Sequence, residues 1–251
     1  MTRLAVLADI HGNLPALEAV IADLGRRGVD AVVNLGDCVS GPLWPAETLA
    51  LLRRLDWPTA RGNHDRTVAL GSSAGLGASD RFARERLSED DCAWLGSRPA
   101  LLRLDDGIVA LHARPDDDAA YLLEDQHGRH LVRASAETVA RRLGDLTASV
   151  VLTAHSHIGG MLRLPDGRWV LNPGSVGCPA YDDDSTNPPH ISESGSSLAR
   201  YAILETTDST PMIEMFALPY PHEAAAARAD DAGRPDWAHA LRTGFTPQVA
   251  A

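Results

Sequence analysis

The 251-residue chain has no lysine, only three cysteines and no long hydrophobic run. Its 23 basic residues, all arginines, stand against 34 acidic residues, which gives a formal net charge of −11. An acidic surface of this kind opposes broad electrostatic binding to DNA or RNA, so nucleic acid is not an expected partner. An anionic small molecule stays compatible with this charge, because bound divalent cations reverse its sign locally.

The scarcity of cysteine excludes two further classes of protein. Cys38, Cys92 and Cys178 lie far apart and form no CxxC pair, so neither a thiolate zinc site nor a disulfide framework is expected.

The apolar run 4–8 is too short for a signal peptide, and no later run approaches the length of a membrane span. We therefore expect a cytoplasmic protein without a membrane partner, and the oligomeric state stays open.

The first 65 residues alternate between strand and helix patterns. Apolar runs at 2–8, 31–35 and 57–61 predict strands, and helical spacing follows Leu14 and recurs over 45–55. Such alternation indicates parallel strands with helical crossovers, and therefore an α/β fold.

The rest of the chain mixes both patterns. Helices are predicted near 119–125 and 135–144, and strands are predicted at 108–111, 148–153, 168–172, 199–205 and 211–218. A polar segment, 181–197, is interpreted as a surface insertion or a lid, and an Ala-rich tail, 222–251, as partly helical. Without a convincing linker or repeat, residues 1–251 are expected to form one domain.

Polar clusters follow the predicted strands at five places: Asp9-x-His11, Gly36-Asp37, Gly62-Asn63-His64-Asp65, His112 and His155-Ser156-His157. Each cluster alone is typical of a turn. Together they contain five of the ten histidines, and in an open α/β sheet the strand ends converge on one ligand-binding edge. The set therefore favours a metal site.

The chemistry of these side chains suits two metal ions. Carboxylate, imidazole and amide oxygen donors without thiolates favour Mn, Fe, Zn, Co or Ni, with manganese as the first expectation. Two ions about 3.5–4 Å apart share a carboxylate and clamp a phosphoryl group between them. Asp37 is the candidate for that shared carboxylate. His155 and His157, at i and i+2 of a continuous strand, would reach both ions from one face.

In this order the clusters resemble the calcineurin-like metallophosphoesterases, and within them the branch of small bacterial phosphodiesterases. The family pattern D-x-H-G-N, G-D, G-N-H-D, H, G-H-[ST]-H and N-P-G-S stands here as residues 9–13, 36–37, 62–65, 112, 154–157 and 172–175, with Ala154 in place of glycine. The resemblance covers roughly residues 4–205. It implies a four-layer α/β/β/α sandwich of two mixed sheets.

The resemblance also implies roles for individual residues. One metal would be held by Asp9, His11, Asp37 and His157, and the other by Asp37, Asn63, His112 and His155. A hydroxide between the metals would attack phosphorus in line. His64 would stabilise charge or protonate the leaving oxygen, and Asp65 would orient it.

Two further residues are candidates for substrate binding. Asn13 could hydrogen-bond phosphate, although a role in the turn suits it equally. Arg114 could contact phosphate, or it could form a surface ion pair with the acidic run 116–118. Trp44, Tyr121 and Tyr181 are interpreted as core or surface aromatic residues.

The expected activity is hydrolysis of a small or nucleotide-like phosphate ester, with a phosphodiester as the first choice. A phosphomonoesterase of the same mechanism is the alternative. A non-catalytic metal-binding scaffold is the alternative of a different class, which the complete ligand set argues against.

Overall fold

The structure, a computed structural model, describes residues 2–71, 75–104, 107–184, 186–206 and 210–248. Its helices are α1 Leu14–Arg27, α2 Pro45–Leu55, α3 Asn63–Leu70, α4 Ala78–Arg84, α5 Glu89–Gly96, α6 Ala136–Leu143, α7 His222–Asp231 and α8 Pro235–Thr243. Its strands are β1 Arg3–Leu7, β2 Ala31–Asn34, β3 Leu101–Arg103, β4 Ile108–Leu111, β5 Glu124–His127, β6 His130–Arg133, β7 Val150–Leu152, β8 Gly160–Arg163, β9 Trp169–Asn172, β10 Ala180–Asp183, β11 His190–Glu193, β12 Ala199–Glu205 and β13 Met212–Leu218.

The first sheet has the strand order β13-β12-β1-β2. β1 is parallel to β2 and antiparallel to β12, so the sheet is mixed. The parallel pair is connected by α1, which begins after Asn13 and ends at Gly28 in the left-handed conformation. This start and stop match the sequence pattern, because Asn caps a helix N-terminus and Gly accepts a positive φ.

The second sheet has the order β3-β4-β7-β9-β8, with parallel pairing in its centre and antiparallel strands at both edges. Alternate residues of its strands face different cores. Ala110 and Leu152 pack against the first sheet, whereas Val109 and Val151 pack against α6. Full burial of a valine or leucine side chain such as Val151 or Leu152 contributes about 1.5–3 kcal/mol.

The two sheets therefore pack face to face with helices outside both. α1, α2, α7 and α8 cover the outer face of the first sheet, and α6 covers the second. The expected four-layer α/β/β/α sandwich of two mixed sheets is confirmed. Among the described residues, no helix has the length and apolar character needed to cross a membrane.

A third sheet, of order β10-β11-β6-β5, was not predicted. The helix expected at 119–125 is wrong, because β5 and β6 form a hairpin that turns at Gly128 with φ +61°. The segment 181–197 contains the β10–β11 hairpin, although Ser185 lies outside the described residues. Polar residues at buried positions, including His190 and Ser192, concealed this hairpin from hydrophobic patterning. Its role as a lid stays a prediction.

Two other expectations were partly met. The strand predicted at 57–61 is reduced to one bridge between Asn34 and Thr59, and the adjacent Pro58 has no amide proton to extend the pairing. The tail is partly helical, as expected, through α7 and α8; residues 249–251 lie outside the described part of the chain. The expectation of a single domain stays a prediction.

Candidate metal centre

Two acidic loops leave the first sheet side by side. Asp9 follows β1 and Asp37 follows β2, whose strands are parallel neighbours. The backbone amide of Asp9 donates to the carbonyl of Gly36 at 3.0 Å, and that of His11 donates to the carbonyl of Asp37 at 2.9 Å. The parallel pairing therefore continues into the loops and fixes the two carboxylates beside each other.

The second sheet supplies its histidines at the matching edge. His112 follows β4, and its carbonyl accepts the amide of Ala154 at 2.7 Å, directly before His155. The expectation that His155 and His157 share one face of a continuous strand is wrong. β7 ends at Leu152, and both histidines lie in a turn with positive φ. Their separation therefore comes from the turn and not from the strand period.

A left-handed backbone marks this site. Among the described residues, six other than glycine have positive φ, and five of them are candidate ligands: Asp9, His11, Asp37, His155 and His157, with φ of 55°, 51°, 54°, 69° and 60°. The sixth, Asp56, caps α2. Left-handed non-glycine residues cost about 1–3 kcal/mol each and concentrate at functional sites, where the surrounding structure enforces them.

The candidate ligands gather into two groups, Asp9 with His11 and His157, and Asp37 with His112 and His155. Within each group the potential ligand atoms lie within 4.8 Å of one another. Asp37 also connects the groups, since its Oδ2 lies 3.2 Å from Nε2 of His112 and 3.8 Å from Nε2 of His11. The geometry thus contains two adjoining donor sets with one carboxylate between them.

Each histidine of these groups is held by a backbone carbonyl through one ring nitrogen. The contacts are His11 Nδ1 to Ser40 O at 2.6 Å, His112 Nδ1 to Leu35 O at 2.9 Å, His155 Nε2 to Ala119 O at 3.0 Å and His157 Nδ1 to Cys178 O at 2.7 Å. A ring nitrogen that donates to a carbonyl leaves the other nitrogen with a free lone pair. This arrangement is typical of metal-binding histidines, because it fixes the tautomer and the ring orientation.

Several buried oxygen and nitrogen atoms of the site that could bind a metal have no hydrogen bond within the described chain. Ten buried side-chain nitrogen or oxygen atoms lack a hydrogen bond there, and five belong to this site: both carboxylate oxygens of Asp9, Oδ2 of Asp37, Oδ1 of Asn63 and Nε2 of His112. Two of the five, Oδ2 of Asp37 and Nε2 of His112, lie 3.2 Å apart as an ion pair. Buried polar atoms are normally satisfied, so such a concentration needs an explanation. Oxygen and imidazole donors of this type fit divalent cations.

The pKa values differ between the two groups: Asp9 and His11 are shifted towards their neutral forms, whereas burial lowers the pKa of His112 but Asp37 outweighs it and raises that pKa to about 10. Burial raises the pKa of Asp9 to about 8 and lowers the pKa of His11 to about 4. Burial also acts to raise the pKa of Asp37, but the imidazoles of His112 and His64 hold it well below its usual range. Neutral His11 is the form that ligates a metal, and a cation beside Asp9 would favour its ionised form.

Asp65 does not have the role expected from the sequence. Its carboxylate is fully buried and accepts the backbone amides of Asp37 and Cys38 at 2.9 Å each and that of Gly62 at 3.0 Å. With its oxygens directed at these amides, Asp65 fixes the loop that carries Asp37. The orientation of His64 depends on another residue.

That residue is Asp80 of α4, which the sequence analysis missed. Nδ1 of His64 lies 2.7 Å from Oδ1 of Asp80, and the hydroxyl of Ser40 donates to the same oxygen at 2.7 Å. Burial lowers the pKa of His64, but Asp37 and Asp80 outweigh it and raise the pKa to about 9. Asp80 belongs to none of the motifs and lies in an ordinary amphipathic helix, so only the fold could identify it.

The two predicted substrate-binding residues are engaged elsewhere. The amide nitrogen of Asn13 donates to the carbonyl of Gly177 at 2.9 Å and to the hydroxyl of Tyr220 at 3.0 Å, while its oxygen caps α1. The guanidinium of Arg114 forms two hydrogen bonds with Asp116, at 3.0 and 3.1 Å. The structure therefore favours the turn role for Asn13 and the surface ion pair for Arg114, and corrects both substrate assignments.

The segment Asn172-Pro173-Gly174-Ser175 joins the loops of the two sheets. The side-chain amide of Asn172 donates to the carbonyl of Ala154 at 3.0 Å. The hydroxyl of Ser175 donates to the carbonyl of Asp9 at 2.8 Å. This motif therefore positions ligands from both sheets without itself joining either donor group.

A cavity of about 360 Å³ opens onto both donor groups and onto His64. Tyr121 stacks on the ring of His155 at 4.9 Å, and Tyr181 packs edge-on against His157 at 4.7 Å. Both tyrosines line the cavity, which corrects their interpretation as core or surface residues. Trp44 packs against the core, as expected.

Comparison with known proteins agrees with this arrangement. A family model described as calcineurin-like phosphoesterase matches residues 2–159. An uncharacterised protein of Methanocaldococcus jannaschii is 29% identical over 201 residues, which cover 71% of this chain and 77% of that protein.

Two solved structures share the fold over nearly the whole chain. A metallophosphoesterase from Sphaerobacter thermophilus has a TM-score of 0.73 and 24% identity, covering 96% of this chain and 98% of that one. A hypothetical protein from Pyrococcus horikoshii has a TM-score of 0.75 and 19% identity, covering 98% of this chain and 100% of that one.

The raised pKa of Asp9 predicts that the metal-free protein loses folding stability as the pH rises. The folded state keeps a proton up to about pH 8, whereas the unfolded state loses it near the usual value of 3.8, so stability falls as pH rises through this window. Since asparagine stays neutral, Asp9→Asn should raise the free energy of unfolding at pH 8 by about 1 kcal/mol or more. At pH 5 the gain should be smaller.

Urea unfolding in the presence of a chelator measures this difference. Asp56→Asn is the matched control, because Asp56 also has positive φ but is exposed; it should not reproduce the gain expected for Asp9→Asn. An equal effect of Asp9→Asn at both pH values would show that burial of the charge is not the cause.

Proposed function

The chain belongs to the calcineurin-like phosphoesterase family, and from that premise we propose that it hydrolyses small phosphodiesters with two divalent metal ions. One ion would be held by Asp9, His11, Asp37 and His157. The other would be held by Asp37, Asn63, His112 and His155. The observation that carries this proposal is the set of five buried oxygen and nitrogen atoms that lack a hydrogen bond at, or beside, the two adjoining groups.

The donor set also bears on the choice of metal. Imidazoles, carboxylates and an amide oxygen, without thiolate, suit manganese first, and iron, zinc, nickel or cobalt as alternatives. Bound there, two such ions would polarise the phosphoryl oxygens and make water a stronger nucleophile at neutral pH. The protein's own part is to hold the donors in place and to present the phosphoryl group to them.

His64 has the position of a proton donor to the leaving oxygen. It lines the cavity beside Asp37 and Asn63, and its Nδ1 is engaged by Asp80. The engaged nitrogen leaves Nε2 free to face the substrate. Protonation of the leaving alcohol by a positioned imidazole typically accelerates hydrolysis by 10²–10⁴-fold. Asp80 would act through His64, as a positioning residue.

A diester fits the cavity better than a small monoester. Besides the two groups, the cavity is lined by Tyr181 and Trp237, whose rings pack against His157 and His11, and by Pro247. The second ester group of a diester would occupy this space and gain contact with the walls. A phosphomonoester of a bulky alcohol is the alternative, because its single alcohol group would be the only one that the cavity has to accommodate.

Loss of the shared carboxylate should remove the metals and the activity together. Protein loaded with manganese and desalted should contain about two ions per chain and hydrolyse bis(4-nitrophenyl) phosphate. Asp37→Asn should lose at least one ion and reduce kcat/KM by about hundredfold or more. Elemental analysis and a colorimetric assay measure these quantities.

Asp56→Asn serves as the control for changing a left-handed aspartate, and it should keep both metals and activity. Absence of turnover with Mn, Co, Ni, Fe and Zn would count against the proposed function. Two ions retained by Asp37→Asn would reject its role as the shared ligand.

Removing the partner of His64 should slow proton transfer without disturbing the metals. Asp80→Asn should lower kcat by about 10–100-fold, leave the metal content unchanged and change KM little. His64→Ala should lower kcat further and also keep the metals. Both effects should be larger for a diester with an alkyl leaving group than for 4-nitrophenolate, because the poorer leaving group depends more on protonation.

Asp90→Asn is the control, because Asp90 on α5 also pairs with a basic side chain, that of Arg53, at 2.8 Å. A loss of the same size for both leaving groups would assign Asp80 a structural role only. Loss of metal from His64→Ala would make His64 a ligand.

A further inference from the structure

The cavity beside the metal centre has largely apolar walls. Its aromatic side chains include Tyr121, Tyr181 and Trp237, with Ala240 and Pro247 nearby. All but Tyr121 lie beyond residue 159, outside the part of the chain that the family model matches. Most of these walls therefore lie outside the region that the family model matches.

The tyrosine hydroxyls in these walls are already engaged. The hydroxyl of Tyr121 lies 2.7 Å from that of Tyr181 and 2.6 Å from Nε2 of His190. The hydroxyl of Tyr181 also donates to the carbonyl of His155 at 3.2 Å. With these groups bonded to one another, the two rings offer a ligand mainly their carbon surfaces.

Positive charge is scarce outside the metal centre. Arg234 is the one arginine among the described residues that line the cavity. Its guanidinium donates to Asp236 from Nε at 3.0 Å and from a terminal nitrogen at 2.7 Å, and to the hydroxyl of Ser79 at 3.0 Å. Its charge is therefore compensated by a carboxylate within the same wall.

Strand β10 adds acidic side chains to the cavity. Asp182 and Asp183 of β10 line the cavity. The nearby cation Arg129 pairs with Asp182 at 2.8 Å. A second phosphate on the substrate would thus meet carboxylates and paired arginines instead of a free cation. Phosphate recognition by proteins usually depends on Arg or Lys side chains or on backbone amides.

We propose that the substrate carries its charge on a single phosphoryl group, with an uncharged aromatic or apolar organic group in the cavity, and that Asp236 and Asp182 select against polyphosphates. This inference rests on the proposed function, because the metal ions would compensate the phosphoryl charge. Nucleoside polyphosphates are excluded as good substrates by the same argument. Esters of an aromatic or other apolar alcohol are favoured.

Three non-hydrolysable probes test this selection by calorimetric titration of manganese-loaded protein. They are methylphosphonate, phenylphosphonate and benzene-1,4-diphosphonate, which differ by one ring and then by one distal anionic group. Phenylphosphonate should bind about tenfold more tightly than methylphosphonate because of contact with the aromatic walls. Benzene-1,4-diphosphonate should bind about tenfold more weakly than phenylphosphonate because its distal group meets the acidic walls.

Two variants assign the effect to the named carboxylates. Asp236→Asn frees Arg234 and Asp182→Asn frees Arg129, so each should reduce the diphosphonate penalty by about threefold or more. Asp166→Asn is the matched control, because Asp166 pairs with Arg168 two residues away at 2.7 Å, as Asp236 does with Arg234. Thermal unfolding of each variant verifies that it is folded.

The possible results separate the two levels of the proposal. Binding of all three probes with the diphosphonate as tight as phenylphosphonate, or tighter, would overturn the inference and leave the proposed function standing. If benzene-1,4-diphosphonate binds more weakly than phenylphosphonate by the same factor in both variants as in the unchanged protein, the roles of Asp236 and Asp182 would be overturned. No binding of any phosphonate to manganese-loaded protein would reject the proposed function and this inference together.

Discussion

Asp9 and Asp37 are buried where the two sheets meet. Neither carboxylate oxygen of Asp9 has a hydrogen-bond partner within the described chain, and Oδ2 of Asp37 has only the imidazole of His112, 3.2 Å away. Burying an unpartnered carboxylate costs several kcal/mol, and such groups normally take up a proton or pair with a cation. The surrounding structure nevertheless holds both groups in place. Parallel loop pairing, left-handed backbone and the three amides bonded by Asp65 all fix these carboxylates. A divalent cation bound between these loops would offset this cost.

The candidate metal ligands and the cavity walls come from different parts of the chain. The candidate ligands lie between positions 9 and 157, within the region matched by the family model. The cavity walls come largely from β10 and from α8 with the residues that follow it. The β10–β11 hairpin connects the two parts, because Tyr181 contacts the ring of His157 while it lines the cavity. A change in these later segments could therefore alter specificity while the metal donors stay in place.

Much of the fold could be predicted from sequence because the main sheets follow simple periodic patterns. β1, β2 and β4 are apolar runs that end at polar clusters, and the ends of parallel strands converge. The β10–β11 hairpin was concealed because its buried positions include His190 and Ser192, which hydrophobic patterning reads as exposed. Its stability depends on hydrogen bonds such as that between His190 and Tyr121, which join residues 69 positions apart.

Site residues that belong to the sequence motifs could be predicted, and site residues outside them could not. Residues brought together by strand ends could be identified from their order along the chain, whereas residues that act through a neighbour could not. Asp65 follows His64 directly, yet its side chain points to backbone amides, because the start of α3 directs the two side chains apart. Asp80 reaches His64 from a separate helix, and Asn13 is committed to capping α1. Sequence adjacency was a poor guide to which carboxylate serves which imidazole.

In the proposed metal centre, the buried carboxylates of Asp9 and Asp37 hold two metal ions that share Asp37. Anomalous diffraction from a manganese-soaked crystal, recorded near the manganese absorption edge, tests this arrangement. Two peaks are expected about 3.5–4 Å apart, both within bonding distance of the carboxylate of Asp37, with His157 on one ion and His112 on the other. A single peak, or two peaks of which only one contacts Asp37, would contradict it.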